Sequence, residues 1–297
     1  MYQIKHHQDS NILEIENTSD KVYGKIYLND GASLQELTLN GVPLIQDLSP
    51  LTYDTTFASS ILFPFANRIK DGLYSFNGSN YQFETNQIEE HNALHGLVYN
   101  KTFQVIEQKS NQDSASITLE YIEKSESIGF PYTYTIQLQY VFTQNNLSLK
   151  LFVKNTDSKP FPFTLGWHPY FISDNLYDSS LSFDSSQKLE IGTRNITTGI
   201  KSIEPVKDLQ IEDQKLDDCW VLKSGKIAFK TPRYNLIIDS SVTENMFLQA
   251  YTPPKLNAIA IEPTTGVSDS FNNEIGLQIL NANDSYEITW GLNINNN

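Results

Sequence analysis

Residues 132–142, YTYTIQLQYVF, put Tyr132, Tyr134, Ile136, Leu138, Tyr140 and Phe142 on one face and Thr133, Thr135, Gln137 and Gln139 on the other. Alternation sustained over a full strand length predicts a β-strand with one face in a core. The period recurs at Leu147, Leu149, Leu151 and Val153, at Ala115, Ile117, Leu119 and Tyr121, and at Tyr286, Ile288, Trp290 and Leu292. The polar turn 143–146 joins the first two of these runs as a hairpin. Asn40-Gly41, between LQELTL and VPLI, and Asn77-Gly78, between LYSF and NYQF, predict two more, because this dipeptide supplies the positive φ angles that tight hairpin turns require. Gly225 punctuates VLK and KIAFK in the same way. No long segment holds apolar residues at helical spacing, and a short helix over 55–62 (TTFASSIL) is the only one expected. Without a composition break, linker or fixed-period repeat, residues 1–297 are expected to form a single domain. Its class is all-β, a large antiparallel β-sandwich.

Composition narrows the partners. The 297 residues carry a net charge of −14, and only Arg68, Arg194 and Arg233 are arginines. An acidic surface repels nucleic acid and anionic lipid, and bidentate capture of phosphate favours arginine. Neither nucleic acid nor a membrane is an expected partner, and a phosphorylated substrate is disfavoured. No apolar stretch approaches the ~20 residues of a membrane helix. The start, MYQIKHHQDSNILEIEN, lacks an apolar signal segment, so the expected location is cytoplasmic. The lone Cys219 forms no internal disulfide and belongs to no metal-binding cysteine spacing.

Candidate chemistry lies at a few isolated positions. His168 in LGWHPYF (165–171) and Glu262 in AIAIEPTTGVSDSFN (258–272) each precede a proline. That context forces extended backbone, a stiff mount for an acid or base. Glu262 also follows the buried-type run AIAI, where a carboxylate is either partnered or functional. NALHGLVYNKTF (92–103) offers His95 and FPFANRIKDG (63–72) offers Asn67 and Arg68. Each has a second reading: His95 as a satisfied core histidine, His168 as part of an aromatic wall, Arg68 as one half of a structural ion pair. His91 and His95 are four apart but lack the glutamate of a zinc helix, so no metal is expected there. A two-histidine, one-carboxylate site from His95, His168 and Glu262 has no local support either. There is no G-x-S-x-G elbow, phosphate-binding loop or dinucleotide fingerprint.

Taken in order, NRI (67–69), the hairpin LYSFNGSNYQF, ALHG (93–96), GFPYTYTIQLQYVF, GWHPYF (166–171), LDDCW (216–220) and IEPTTGVSDSFN (261–272) resemble the aldose 1-epimerase, or galactose mutarotase-like, family over roughly residues 22–292. The resemblance implies the galactose mutarotase-like supersandwich and a cofactor-independent aldose mutarotase that interconverts the α and β anomers of a free hexose by general acid–base ring opening; a monomer or homodimer is expected. It implies Glu262 as general base, His168 as general acid and His95 polarising the sugar near its ring oxygen. Arg68, with Asn67 before it, and Asp217 bind hydroxyls, and Trp167 is expected against the ring. Tyr170, Trp220 and Phe271 are further aromatic candidates. Glu262 is expected to be ionised and His168 protonated at working pH, their mutual attraction favouring both charged forms. Three departures from the pattern, Trp167 before His168, Ile172 after Phe171 and Leu97 after Gly96, leave the sugar open. The alternatives are a hexose-6-phosphate mutarotase and a non-catalytic carbohydrate-binding protein. A glycoside hydrolase would need two carboxylates across a bond and leave both histidines unexplained.

Overall fold

A computed structural model describes residues 1–125 and 127–296. The alternating runs become the strands Ala115–Lys124, Thr133–Phe142, Asn146–Asn155 and Ser285–Asn296, paired antiparallel in that order. In Thr133–Phe142 every second side chain is buried, as the pattern requires. With Gln104–Ser110 at the edge beside Ala115–Lys124, these strands open a fifteen-stranded sheet among the described residues. It continues through Tyr234–Ser240, Lys226–Lys230, Ser180–Ile191, Asp217–Val221, Phe247–Tyr251 and Ala258–Thr264 to Gly166–Trp167 and Ile61–Leu62. A separate five-stranded meander runs from Gln3–His7 to Val42–Ile45.

The long sheet closes on itself. Trp290 and Trp167 lie seven strands apart along it, a separation of about 34 Å were it flat, at ~4.8 Å per strand. Their rings instead stack 6.4 Å apart. Phe63, next to the terminal strand, likewise meets Tyr134 at 4.8 Å and also contacts Phe130, Phe161 and Phe163. The meander packs on the same core: a Cβ on Gly24 would fall 2.5 Å from the Phe142 ring, and the Tyr140 hydroxyl donates to Ala32 O at 2.9 Å. The result is the expected antiparallel sandwich, with one apolar cluster drawing on residues from Tyr2 to Ile294. No helix among the described residues is long and apolar enough to cross a membrane.

Two local expectations fail. The helix expected over 55–62 shrinks to the single turn Tyr53–Thr56, followed by Phe57 and Ser59 at φ 51° and 57° and the strand Ile61–Leu62. Tertiary pairing wins there: Ser59 N donates to His168 O (2.8 Å) and His168 N to Ser60 O (3.0 Å). Gly225 does not turn a hairpin. The strands flanking it, Asp217–Val221 and Lys226–Lys230, pair with Phe247–Tyr251 and Tyr234–Ser240 instead. Asn40-Gly41 and Asn77-Gly78 do turn hairpins.

Phe63 joins the core to the cleft described below, because its carbonyl also accepts Leu97 N at 2.7 Å. Phe63→Ala removes a fully buried ring and should cost about 3–5 kcal/mol. A urea midpoint within error of the parent's would refute its structural weight.

Candidate active site

The strand Ala258–Thr264 is buried at every position, and Glu262 is one of them. On one side it pairs with Phe247–Tyr251, which sets Gln249 opposite Glu262. On the other it pairs with two short pieces, Gly166 opposite Thr264 and Tyr170 opposite Ala260. The gap between those pieces is His168-Pro169. Proline has no N–H to continue the ladder, so the strand breaks there, and the break faces Glu262. His168 Nε2 lies 3.4 Å from Glu262 Oε1, with both side chains almost wholly buried.

A separate ribbon brings the other groups. Asn92–Leu94 pairs with Arg68–Lys70, so Leu94 lies opposite Arg68. The chain enters the first strand at Asn67 and leaves the second at His95, both left-handed at φ 60° and 63° and joined by His95 N donating to Asn67 O at 2.8 Å. Non-glycine residues pay strain for that region. Gly96 follows at φ 76°, where a Cβ would sit 2.3 Å from Phe63 O. This close approach accounts for glycine after His95. The ring of His95 meets His168 edge-on at 4.9 Å and Phe57 at 4.9 Å.

Glu262, His168, His95, Asn67, Arg68 and Asp217 thus line one cleft of about 250 Å³. That is smaller than the ~300–1,000 Å³ of pockets for drug-sized ligands and on the scale of one sugar ring. Arg68 is held by its neighbours: Nε donates to Glu90 Oε2 (3.1 Å) and Gln87 Oε1 (3.2 Å), and Nη1 to Asn67 Oδ1 (2.9 Å). Asp217 Oδ1 accepts Gln249 Nε2 at 2.8 Å, whereas the adjacent Asp218 pairs with Lys188 at 2.6 Å. His91 turns away to Asp71, 3.3 Å distant. Among the described residues no group of three histidine, cysteine or carboxylate side chains is arranged to hold a metal ion.

Trp167 does not reach the cleft. It is fully buried against Trp290, because it belongs to the inward-facing side of its strand. Trp220 packs on Phe183 and Lys188, and Phe271 on Tyr74. Of the aromatic candidates only Tyr170 lines the site, joined by Phe57 and Tyr251. Gln87, Gln249, Tyr251 and Phe57 were not anticipated. Gln249 left one signal, an amide inside the otherwise apolar strand FLQAY. The others had none, since loop and pairing geometry bring them in.

The electrostatics reverse the expected charge state. Burial, and then the Asp217 carboxylate, push Glu262 well above its ordinary value, with Arg68 opposing. Burial lowers His168 to about 4 and His95 well below the imidazole range. His168 Nδ1 is buried with no hydrogen-bond partner among the described residues, so an imidazolium would also strand an N–H. Desolvation disfavours both charged forms, and so favours a carboxylic acid beside a neutral imidazole over the ionised pair. Burial also raises Asp217, though Arg68 pulls the other way.

The family model for aldose 1-epimerase matches residues 18–292. The Escherichia coli K12 protein YihR, itself described as uncharacterized, is 24% identical over 275 residues, 88% of this chain and 87% of that protein. Among solved structures, a galactose mutarotase-like protein from Clostridium acetobutylicum superposes with a TM-score of 0.86 at 18% identity, covering 100% of this chain and 99% of that one. A galactose 1-epimerase from Lactobacillus acidophilus gives 0.80 at 16% identity, covering 100% and 99%. At such identities the superpositions speak for the fold alone.

The raised Glu262 makes a stability prediction. A carboxyl with a raised folded value contributes fully below its ordinary 4.5, and the contribution is lost as pH rises above that. Glu262→Gln should therefore gain on the parent with each pH unit above 4.5, by at most about 1.4 kcal/mol per unit, until the folded value is passed. Urea midpoints of both proteins from pH 4.5 to 9 measure the difference. A pH-independent gap would contradict the protonated resting state.

Proposed function

The chain belongs to the aldose 1-epimerase family, and from that premise we propose that it interconverts the α and β anomers of a free hexose by general acid–base ring opening. The observation that carries this reading is the 3.4 Å between His168 Nε2 and Glu262 Oε1 at the cleft. The anomeric hydroxyl and the ring oxygen of a pyranose are bonded to one carbon. An acid and a base that act on both in one step must therefore stand side by side, as this pair does. Glu262 takes the proton from the anomeric hydroxyl while His168 delivers one to the ring oxygen, and the hemiacetal opens. Rotation about C1–C2 presents the other carbonyl face, and reclosure reverses both transfers. Protons are exchanged and none is consumed. His95, packed edge-on against His168, faces the same reacting centre.

The resting proton count suits this cycle. Between about pH 4 and the raised value of Glu262 the pair holds one proton, mostly on the carboxyl. The reactive arrangement, carboxylate and imidazolium, differs only by moving that proton across the pair. Binding of sugar hydroxyls by Arg68, Asp217, Asn67 and Gln249 would favour it by supplying polar partners to a buried charge.

Phosphorylated sugars fit less well. Among the described residues Arg68 is the only cation lining the cleft, it is neutralised by Glu90, and Asp217 and Glu262 face the same space. A non-catalytic sugar binder would have no use for a buried acid and base in contact.

Glu262→Gln and His168→Asn should each lower kcat by about 10²–10⁴-fold with folding retained. Polarimetry or NMR exchange between anomers, on free aldoses and on glucose 6-phosphate, reads the effect. Near-parental rates in either variant would overturn the roles. The pH profile of kcat/KM should be bell-shaped, its acid limb near 4 from His168 and its alkaline limb at the raised Glu262. An acid limb near 6.5 would mean that the imidazole is not desolvated.

A further inference from the structure

We propose that the hairpin tip Arg194-Asn195 is a positioning device for Arg68, acting through Glu90, and so sets how tightly the sugar is held. The inference rests on the sugar-binding reading above. The long hairpin Ser180–Ile191 and Thr197–Gln210 ends in a tight turn whose Arg194 and Asn195 both have positive φ, 62° and 56°. Two successive non-glycine residues in that region are strained. What holds them there is a set of contacts to the loop 87–92. The Arg194 guanidinium donates to the carbonyls of Glu90 and His91, to Asn92 Oδ1 (2.9 Å) and to Asp71 Oδ1 (2.9 Å). Asn92, fully buried, returns a bond from Nδ2 to Arg194 O at 3.1 Å. Asn195 Nδ2 donates to Glu90 Oε1 at 2.8 Å, and Ser268 Oγ holds Asn195 O at 2.8 Å.

The loop so gripped is the one that holds Arg68. Glu90 gives one oxygen to Asn195 and the other to Arg68 Nε, and Gln87 Oε1 accepts from both Arg68 Nε and Asn92 Nδ2. One carboxylate thus bridges the tip and the cleft arginine. An unheld Glu90 would free Arg68 to turn toward the Asp217 and Glu262 carboxyl groups, both of which already feel its charge. The fork matters more than the charge: two separate nitrogens, Nε and Nη2, reach acceptors on Glu90, His91, Asn92 and Asp71, a spread that the single nitrogen of an ammonium does not match. Arg194 does not line the cleft, so any effect on the sugar is indirect.

The test uses Arg194→Lys and Asn195→Gly. The second deletes the amide while suiting the positive φ. Each should raise KM for a free aldose about tenfold, as small displacements of a binding group do, and leave kcat within about threefold. In an Arg68→Ala background neither should change KM further, since the group they position is gone. An unchanged KM, or an equal rise with and without Arg68, would overturn the inference. A second readout does not depend on turnover. With three arginines in the chain, the Nε–H region of a ¹H–¹⁵N spectrum is simple to assign. The Arg68 Nε–H should exchange slowly in the parent and quickly in either variant, and slow exchange in both variants would refute the clamp even if the parent turned over no sugar.

Discussion

One desolvated contact governs the site: a carboxyl and an imidazole 3.4 Å apart, both almost wholly buried at the floor of the cleft. In bulk water the two would ionise and attract weakly. Here burial acts on both charged forms at once and in the same sense, against the carboxylate and against the imidazolium. Burial thus favours the neutral pair, a carboxylic acid beside an imidazole, over the charged one. Much of the surrounding architecture answers to that state. Asp217 and Arg68 stand close enough to bias it in opposite directions, and Tyr170, Phe57 and the His95 ring exclude solvent beside it.

The backbone explains why the contact forms. A strand buried at every position carries Glu262, and its neighbour is interrupted where Pro169 withholds a donor. His168 lies at the interruption, and on its other side its main chain pairs with Ser59 and Ser60, continuing the ladder between Gly166–Trp167 and Ile61–Leu62. That second pairing fixes the left-handed kinks at Phe57 and Ser59, and it displaces the helix that residues 55–62 would otherwise favour. The cost of a local preference is thus charged to the element that positions the imidazole.

Legibility followed the range of the interactions. The alternating runs and both Asn-Gly turns are nearest-neighbour signals, and the strands and hairpins they predict are present. The prolines after His168 and Glu262 report local backbone stiffness, which is why those positions stood out. Trp167 misled because an aromatic beside a candidate acid reads equally as sugar platform or core, and the inward face of its strand decides for Trp290. Charge state was misread for a related reason: attraction depends on two residues, whereas desolvation depends on everything packed around them. Glu90 and Arg194 carry no local mark at all. Their grip on Arg68 comes from loops over a hundred residues apart in sequence.

A resting pair with its proton on the wrong partner would be a poor choice for a demanding reaction, since each unit of separation between the two values lowers the reactive fraction tenfold. Anomer exchange is not demanding: it proceeds unaided in water, and two positioned groups worth about 10²–10⁴-fold each leave room for such a loss. The neutral pair brings a compensating gain. A carboxylate and an imidazolium held permanently in this cleft would have to be hydrated or paired when empty, and each sugar would then have to strip that water. A pair that charges only as hydroxyls arrive defers the desolvation to the moment when the substrate supplies the partners. On this view the tight burial of His168 and Glu262 is part of how the site binds an uncharged ring as well as how it opens one.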